Sequence, residues 1–128
     1  MRLLLDTHIL IWALLDDPSL SLSARQLIQD DSNVVYVSSV SFTEVAIKRS
    51  LGRSGIECSV QDIISYVNNA GCSVLDLQPI HAVVLETLPW HHRDPFDRML
   101  IAQALTEPMR LVTHDSAVAR YSDTIIKV

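Results

Sequence analysis

The stretch RLLLDTHILIWALLDDP, residues 2–18, contains two apolar segments separated by three polar residues. The first segment, Leu3-Leu4-Leu5, is short and ends at Asp6, which is typical of a buried strand. The second segment, Ile9 to Leu15, has the length and spacing of a helix, and Asp-Asp-Pro ends it. A buried strand followed at once by a helix predicts the first unit of an α/β domain.

The rest of the chain repeats this alternation of strand and helix. Strands are predicted at residues 34–37, 73–77, 110–113 and 124–128, and helices at 23–30, 61–70 and 79–88. Two more helices begin at N-terminal caps: the capping-box pattern from Ser41 to Glu44, with Gly52 at the helix end, and Asp94-Pro95. The alternation predicts a mainly parallel sheet covered on both faces, a three-layer α/β/α fold. We expect residues 1–128 to form a single domain.

Composition limits the kind of protein this can be. Apolar residues make up 48% of the chain, which excludes an intrinsically disordered protein. Ten Lys and Arg against 15 Asp and Glu give a formal net charge of -5, so the protein does not coat nucleic acid by bulk charge. This charge does not exclude binding of nucleic acid through bound metal ions and a local arginine patch. Eleven of the 15 acids are Asp, and helix-surface Glu therefore does not explain the excess.

The cysteines and the apolar runs indicate a location. Cys58 and Cys72 lack CxxC spacing and histidine neighbours at zinc-finger intervals, so we expect reduced thiols in a cytoplasmic protein. Asp6, Thr7 and His8 interrupt the first apolar stretch, unlike a signal peptide. Apolar runs of the roughly 18 residues needed to span a membrane are missing, so no membrane is expected as a partner.

Asp6 and Asp115 stand at or just past the carboxyl ends of two predicted strands. Ligands of open parallel sheets bind beyond those ends, which makes both acids candidates for a functional site. Asp is also a favoured N-cap residue. Asp6 could therefore cap the helix that follows it, and Asp115 a short helix over residues 116–120.

Glu44 and Asp97 lie on apolar faces of two predicted helices. Glu44 shares a stripe with Val40, Ile47 and Leu51, although the capping box also gives it a structural role. Asp97 shares a face with Ile101 and Ala104. No Lys or Arg is expected at close inward spacing, and buried carboxylates are costly unless they are paired or bind a metal. The four acids predict a site for Mg²⁺ or Mn²⁺. Carboxylate clusters that hold such ions recur in enzymes that cleave phosphodiesters.

Four short motifs occur in order along the chain: LLLDTH at residues 3–8 with Trp12, SSVS at 38–41 leading to Glu44, RDPFDR at 93–98 with Leu100, Ala102 and Ala104, and LVTHD at 111–115. Together they resemble a PIN-domain ribonuclease, and within that family the VapC-type toxins of bacterial toxin–antitoxin pairs. The resemblance covers essentially the whole chain. It implies a PIN-like fold and a toxic endoribonuclease that uses Mg²⁺, with Mn²⁺ as a substitute.

The resemblance also implies the roles of particular residues and the partners. Its acidic centre is Asp6, Glu44, Asp97 and Asp115, acting as metal ligands and catalytic residues, with Thr113 as a hydroxyl neighbour. Asp94 is interpreted as the N-cap beside that centre. The implied partners are an RNA substrate, a cognate antitoxin that blocks the acidic pocket, operator DNA bound through the antitoxin, and a second copy of the chain in a homodimer.

Several basic and aromatic residues are candidates for contacting RNA. Lys48, Arg49 and Arg53 at one helix end, with Arg93 and Arg98 near the acids, are the predicted phosphate-binding residues, although a solvated helix end explains the first group equally well. Four histidines could contact RNA or transfer protons, but we favour the interpretation that they are solvated loop or helix-start residues: His8, His91, His92 and His114. His81 is expected to face solvent. Trp12 is interpreted as a core or dimer contact rather than a platform for stacking bases. Trp90 fits either role.

Other classes of protein compete with the ribonuclease hypothesis. An inactive PIN-like module would bind RNA or protein without cleavage. A haloacid-dehalogenase-like phosphatase would use Asp6 as its nucleophile, but His8 stands where such enzymes carry a second Asp. A sheet-based signalling receiver needs an acceptor acid after a mid-chain strand, and no such residue is found. Loss of metal-dependent RNA cleavage in Asp6→Asn separates the nuclease from the inactive module.

Overall fold

The computed structural model describes residues 1–52 and 55–128, which contain five strands and seven helices. The strands are β1 (Arg2–Leu5), β2 (Val34–Ser38), β3 (Ser73–Leu75), β4 (Arg110–Thr113) and β5 (Ile126–Lys127). The helices are α1 (Thr7–Leu15), α2 (Leu22–Gln29), α3 (Ser39–Ser50), α4 (Val60–Ala70), α5 (Pro79–Thr87), α6 (Pro95–Thr106) and α7 (Ser116–Ala119). All strand pairs are parallel, in the order β3-β2-β1-β4-β5, which confirms the predicted α/β fold class.

The central strand β1 is buried on both faces. Leu3 and Leu5 point into one core with α1, α2 and α4, whereas Leu4 points into the other with α5, α6 and α7. Successive side chains of a strand point to opposite faces, so three consecutive leucines fill both cores. The result is the predicted three-layer arrangement. It also sets the carboxyl ends of β1 and β4 side by side, where the Asp6 amide donates to the Val112 carbonyl at 3.0 Å.

The start of α3 differs from the prediction. The N-cap is Ser38, whose Oγ accepts from the Val40 amide at 3.0 Å, so the capping box at Ser41 to Glu44 is wrong. Ser38 ends β2 and is available to cap the helix three residues earlier than expected. The Ser41 hydroxyl instead hydrogen-bonds that of Thr7 in the core at 2.9 Å. Glu44 therefore lies within the helix and points inward.

His81 is the second correction, because it is buried rather than turned to solvent. It lies in the first turn of α5 with 1% of its surface exposed. The Gln78 amide donates to His81 Nδ1 at 2.9 Å, so Nε2 carries the proton and donates to Glu107 at 2.5 Å. The pair links the start of α5 to the end of α6.

Most other predicted elements agree with the structure within a few residues. Asp94 caps α6 and Pro95 is its first residue, and β4 covers residues 110–113, as predicted. The predicted strands at 73–77 and 124–128 are shorter, ending at Leu75 and covering only Ile126–Lys127. Cys58 and Cys72 are both free. Among the described residues, none of the helices has the length and apolar character to cross a membrane.

Candidate active site

Asp6 follows β1 at the rim of the core and serves as the N-cap of α1. Its Oδ1 accepts from the Ile9 amide at 3.1 Å, and its Oδ2 accepts from Thr113 Oγ1 at 2.5 Å. Only 4% of the residue is exposed. Burial raises the pKa of Asp6 above its usual range, although both hydrogen bonds oppose the shift. An acid held in this way gains from a nearby cation that favours its charged form.

Thr113 connects Asp6 to Asp115. The Thr113 hydroxyl donates to Asp6 and accepts from the Asp115 amide at 3.1 Å. Asp115 caps α7, because its Oδ1 accepts from the amides of Ala117 at 2.8 Å and Val118 at 3.4 Å. One buried hydroxyl therefore fixes the backbone of one acid and the carboxylate of the other.

Glu44 reaches the site from α3, buried to 2% exposure. Its Oε2 pairs with Lys48 Nζ at 2.5 Å, an ion pair at (i, i+4) spacing. The expectation that no basic residue approaches these acids is wrong, because Lys48 lies one turn further along the same helix face. The pair raises the pKa of Lys48 despite the opposing effect of burial. Glu44 Oε1 has no hydrogen-bond partner among the described residues.

Asp97 lies in the first turn of α6. Burial raises its pKa to about 6, and the negative charges of Asp94, Asp6 and Glu44 add to the shift. His92 opposes it, because its Nε2 lies 2.7 Å from Asp97 Oδ2. The Asp94 carboxylate is occupied as the cap, since its Oδ1 accepts from the amides of Phe96 at 2.9 Å and Asp97 at 3.2 Å. Asp97 is thus the acid of this pair that is turned toward the other carboxylates.

The structure brings the predicted acids together at one end of the sheet and adds His92 to them. Ligand atoms of His92, Asp97 and Asp115 lie within 4.8 Å of one another. Asp6 and Glu44 are close enough for their charges to raise the pKa of Asp97. Crowded carboxylates, one with a buried unpartnered oxygen, fit a divalent cation that would relieve their repulsion. Sequence analysis missed His92 in this role because it precedes α6 in a loop, where helical spacing gives no signal.

The predicted phosphate-binding residues near the acids differ in exposure. Arg98 is 4% exposed, and its guanidinium donates to the carbonyls of Pro89 at 2.8 Å and Leu88 at 3.3 Å, beneath the Trp90 ring. The expectation that Arg98 contacts RNA is therefore wrong. Because it follows Asp97 directly in α6, its side chain leaves the helix in a different direction, toward the loop at 88–93. Arg93 is exposed, and Arg53 lies outside the described residues.

Arg49 contacts the segment that follows α3, whereas three rings lie near Asp6. Arg49 is exposed and donates to the Ile56 carbonyl at 2.6 Å. Trp12 packs partly against the core, and its ring lies 4.7 Å from that of His114 and 5.9 Å from that of His8. His8 and His114 neighbour Asp6 closely enough to lower its pKa, although burial outweighs them. These rings border the site on the α1 side.

A parallel α/β sheet that gathers buried carboxylates beyond its central strands defines a class of proteins suited to hold divalent cations at that edge. The model of the PIN domain family matches residues 3–123. The chain therefore belongs to the PIN domain family, which confirms the resemblance at the level of the family. No curated protein matches the sequence.

Solved structures share the fold at low sequence identity. VapBC2 from Rickettsia felis, bound to a DNA fragment from its promoter, has a TM-score of 0.71 and 17% identity, over 100% of this chain and 98% of that chain. FitAcB from Neisseria gonorrhoeae has a TM-score of 0.62 and 15% identity, over 98% and 96%. PAE2754 from Pyrobaculum aerophilum has a TM-score of 0.61 and 14% identity, over 100% and 90%.

Proposed function

We propose that this PIN-domain protein is a metal-dependent endoribonuclease and the toxin of a VapC-type toxin–antitoxin pair. The observation that carries the proposal is the convergence of Asp97 and Asp115, with Asp6 and Glu44 beside them, at the end of the sheet. Membership of the family and the fold shared with VapBC2 and FitAcB support it. The four acids lie at the ends of β1 and β4 and on α3 and α6.

The four acids would hold one or two Mg²⁺ or Mn²⁺ ions. Such an ion would offset the charge on a phosphodiester and lower the pKa of water, which would supply a hydroxide-like nucleophile for phosphorus. Asp6 and Asp115 are fixed by Thr113, so little reorganisation is needed when phosphate arrives. Lys48 neutralises one oxygen of Glu44 and leaves the other for a cation. Because water rather than the ribose 2′-hydroxyl attacks, the products carry 5′-phosphate and 3′-hydroxyl ends.

The experiment is single-turnover cleavage of RNA with Mg²⁺ or Mn²⁺. Chelation with EDTA should abolish cleavage, and Asp97→Asn should abolish it in the presence of metal. Asp94→Asn is the matched control, since its amide oxygen still accepts the bonds that cap α6. Cleavage in EDTA, or wild-type cleavage by Asp97→Asn, would contradict the proposal. Binding of RNA without cleavage under all conditions would favour the inactive module.

The phosphatase alternative is disfavoured by the surroundings of Asp6. Phosphatases of this kind carry a second Asp two residues after the nucleophile, and His8 occupies that position here. We therefore expect no phospho-aspartate to form during incubation with phosphate monoesters. Trapping one at Asp6 would overturn the nuclease proposal.

We also propose that the chain forms a homodimer through an apolar groove between α3, α5 and α6. Two adjoining cavities of about 340 and 290 Å³ share Leu77 and Met99 as lining residues. Ile80 and Val83 of α5 are exposed nearby, Val83 to 60%. An exposed apolar patch of this kind is typical of an interface. Light scattering should give a dimer, and Val83→Glu should give a folded monomer; a monomeric wild type would contradict the proposal.

The remaining partners follow from the toxin proposal. VapBC2 is described with a promoter DNA fragment, which supports an antitoxin that binds operator DNA for this chain as well. The antitoxin is expected to be small and to block the acidic pocket. Expression of the chain alone should arrest growth, and co-expression of the cognate antitoxin should restore it. Arrest that persists in Asp97→Asn would separate toxicity from cleavage.

A further inference from the structure

Hydrogen bonds hold the loop before α6 in a conformation that directs His92 toward the acids. The His92 amide donates to the Tyr121 hydroxyl at 3.0 Å, and that hydroxyl donates to the Pro89 carbonyl at 2.7 Å. Arg98 also donates to the Pro89 carbonyl and to Tyr121 from below. The buried guanidinium, which also donates to the His92 carbonyl at 3.4 Å, and the phenol therefore hold the backbone from Pro89 to His92. The imidazole is 21% exposed and points inward, toward Asp97.

We propose that His92 is a metal ligand, which makes this a mixed nitrogen and oxygen centre rather than one of carboxylates alone. Its ring belongs to the group with Asp97 and Asp115 whose ligand atoms lie within 4.8 Å of one another. The inference rests on the proposed metal-dependent function, because it concerns the same ion. Imidazole nitrogen favours transition ions, whereas Mg²⁺ prefers oxygen. His92 therefore biases the centre toward Mn²⁺.

A second feature points to a cation at this position. Glu44 Oε1 is buried and lacks a hydrogen-bond partner among the described residues, while its charge acts on Asp97. A buried carboxylate oxygen without a donor is costly, and a metal ion is the usual remedy. Asp97 connects the two observations, because its Oδ2 lies 2.7 Å from His92 Nε2 and the charge of Glu44 acts on its carboxylate.

Nitrogen coordination can be measured directly on the protein with Mn²⁺ alone. Electron spin-echo envelope modulation of bound Mn²⁺ detects coupling to a directly bonded ¹⁴N. The wild type should show this coupling, and His92→Gln should lose it. His91→Gln is the matched control, since His91 is exposed and packs against the Tyr121 ring at 4.9 Å instead. Its spectrum should equal that of the wild type.

Isotope labelling of histidine gives a second test that needs no substitution and uses the folded wild type. Replacing ¹⁴N by ¹⁵N in all histidines should change the coupling in the wild type. Calorimetric titration should also show that His92→Gln weakens Mn²⁺ binding about 10-fold or more, and Mg²⁺ binding less. A hydrogen bond from His92 to Asp97 without coordination would weaken both ions equally and give no nitrogen coupling.

The outcomes separate this inference from the function on which it rests. Tight Mn²⁺ binding without histidine coupling would overturn the ligand role of His92 and leave the metal-dependent nuclease intact. Failure of the wild type to bind Mn²⁺ at all would overturn both. Coupling that survives in His92→Gln and disappears in His91→Gln would move the role to the neighbouring ring.

Discussion

A single hydroxyl, that of Thr113, links two acids that lie far apart in the sequence. Thr113 and Asp6 are 107 residues apart, and their hydrogen bond closes the gap between β4 and β1. The same oxygen accepts from the Asp115 amide. Removing this buried hydroxyl is costly, because the Asp6 carboxylate and the Asp115 amide would each lose a hydrogen-bond partner.

Replacing Thr113 by Val should therefore destabilise the fold while preserving the shape of the side chain. We expect the free energy of unfolding to fall by about 1–3 kcal/mol. RNA cleavage should fall as well, since Asp6 and Asp115 are no longer held together. Urea unfolding and single-turnover kinetics measure the two effects. Thr113→Ser keeps the hydroxyl and should retain most of both; a loss in Thr113→Ser as large as that in Thr113→Val would contradict the leading role of the hydroxyl.

The raised pKa of Asp97 predicts a pH dependence of stability without metal. Its pKa of about 6 in the fold lies above the usual 3.8, so the folded state binds more protons than the unfolded state between these values. The stabilising contribution is present in full below about pH 4 and is lost as the pH rises through about 6. The loss is about 1–2 kcal/mol after allowance for partial exposure.

Unfolding in EDTA at several pH values between about 4 and 7 measures this loss. The decrease should be smaller in Asp97→Asn, which does not titrate, while Asp6 retains part of it. Saturating Mn²⁺ should restore stability above about pH 6, because metal binding favours the ionised carboxylate. Identical pH profiles for the wild type and Asp97→Asn would contradict the assignment.

Some site residues can be found from sequence and others cannot. Asp6 and Asp115 follow short apolar strands, and parallel strands bring such ends together. Lys48 and His92 are different. In the sequence, Lys48 is one of several basic residues near the end of a helix, which is typical of a solvent-exposed charge. Only its (i, i+4) spacing to Glu44 indicates the ion pair. His92 lies in a loop whose path depends on contacts with Tyr121, 29 residues away.

At the scale of the element, the loop at 88–93 is held by groups that belong to other elements. Arg98 of α6 and Tyr121, just past α7, satisfy the carbonyls of Leu88 and Pro89. The sequence gives no local turn signal for this arrangement. It therefore depends on the fold around it, unlike the Asp94-Pro95 start of α6, which is encoded locally.

Removing the Tyr121 hydroxyl should loosen this loop. Tyr121→Phe leaves the His92 amide without its acceptor and removes one of the hydrogen bonds of Arg98, so we expect a loss of about 1–3 kcal/mol in unfolding free energy. Tyr36→Phe is the matched control, because it keeps the ring that packs beneath Arg2. Urea unfolding compares the two variants, and amide hydrogen exchange locates the change. Exchange that rises elsewhere but not at residues 88–93 would contradict the assigned role.

Helix starts show where local patterns are sufficient. Asp94 and Pro95 form an N-cap and first helical residue that are adjacent in the sequence, and α6 begins there. Serine at 38, 39 and 41 gives several possible caps for α3. The choice of Ser38 depends on where β2 ends and on the contact of its hydroxyl with Gln103 Oε1 at 2.5 Å. That contact joins α3 to α6 and is not visible in the local sequence.

At the scale of the whole molecule, the apolar pattern predicts a parallel sheet but not the order of its strands. The position of β1 between β2 and β4 brings the ends of the first and fourth strands together. That pairing spans most of the chain, and no periodicity encodes it. The order nevertheless decides the function, because it determines which acids meet.

With a net charge of -5, the proposed RNA binding has to rest on local cationic side chains, and this gives the last prediction. Arg49 is exposed at the end of α3, the helix that supplies Glu44, and with Arg93 it is one of two exposed candidates for a phosphate contact in the described part of the chain. Arg49→Ser should weaken RNA binding and lower the slope of log affinity against log salt by about 0.7. Arg25→Ser removes the same charge from α2, where Arg25 pairs with Asp16, and should leave the slope unchanged. Binding isotherms at several salt concentrations, with Ca²⁺ in place of Mg²⁺ to limit cleavage, measure both. An unchanged slope in Arg49→Ser would exclude Arg49 from the RNA path, and equal decreases in both variants would mean that overall charge, rather than a local contact, governs binding.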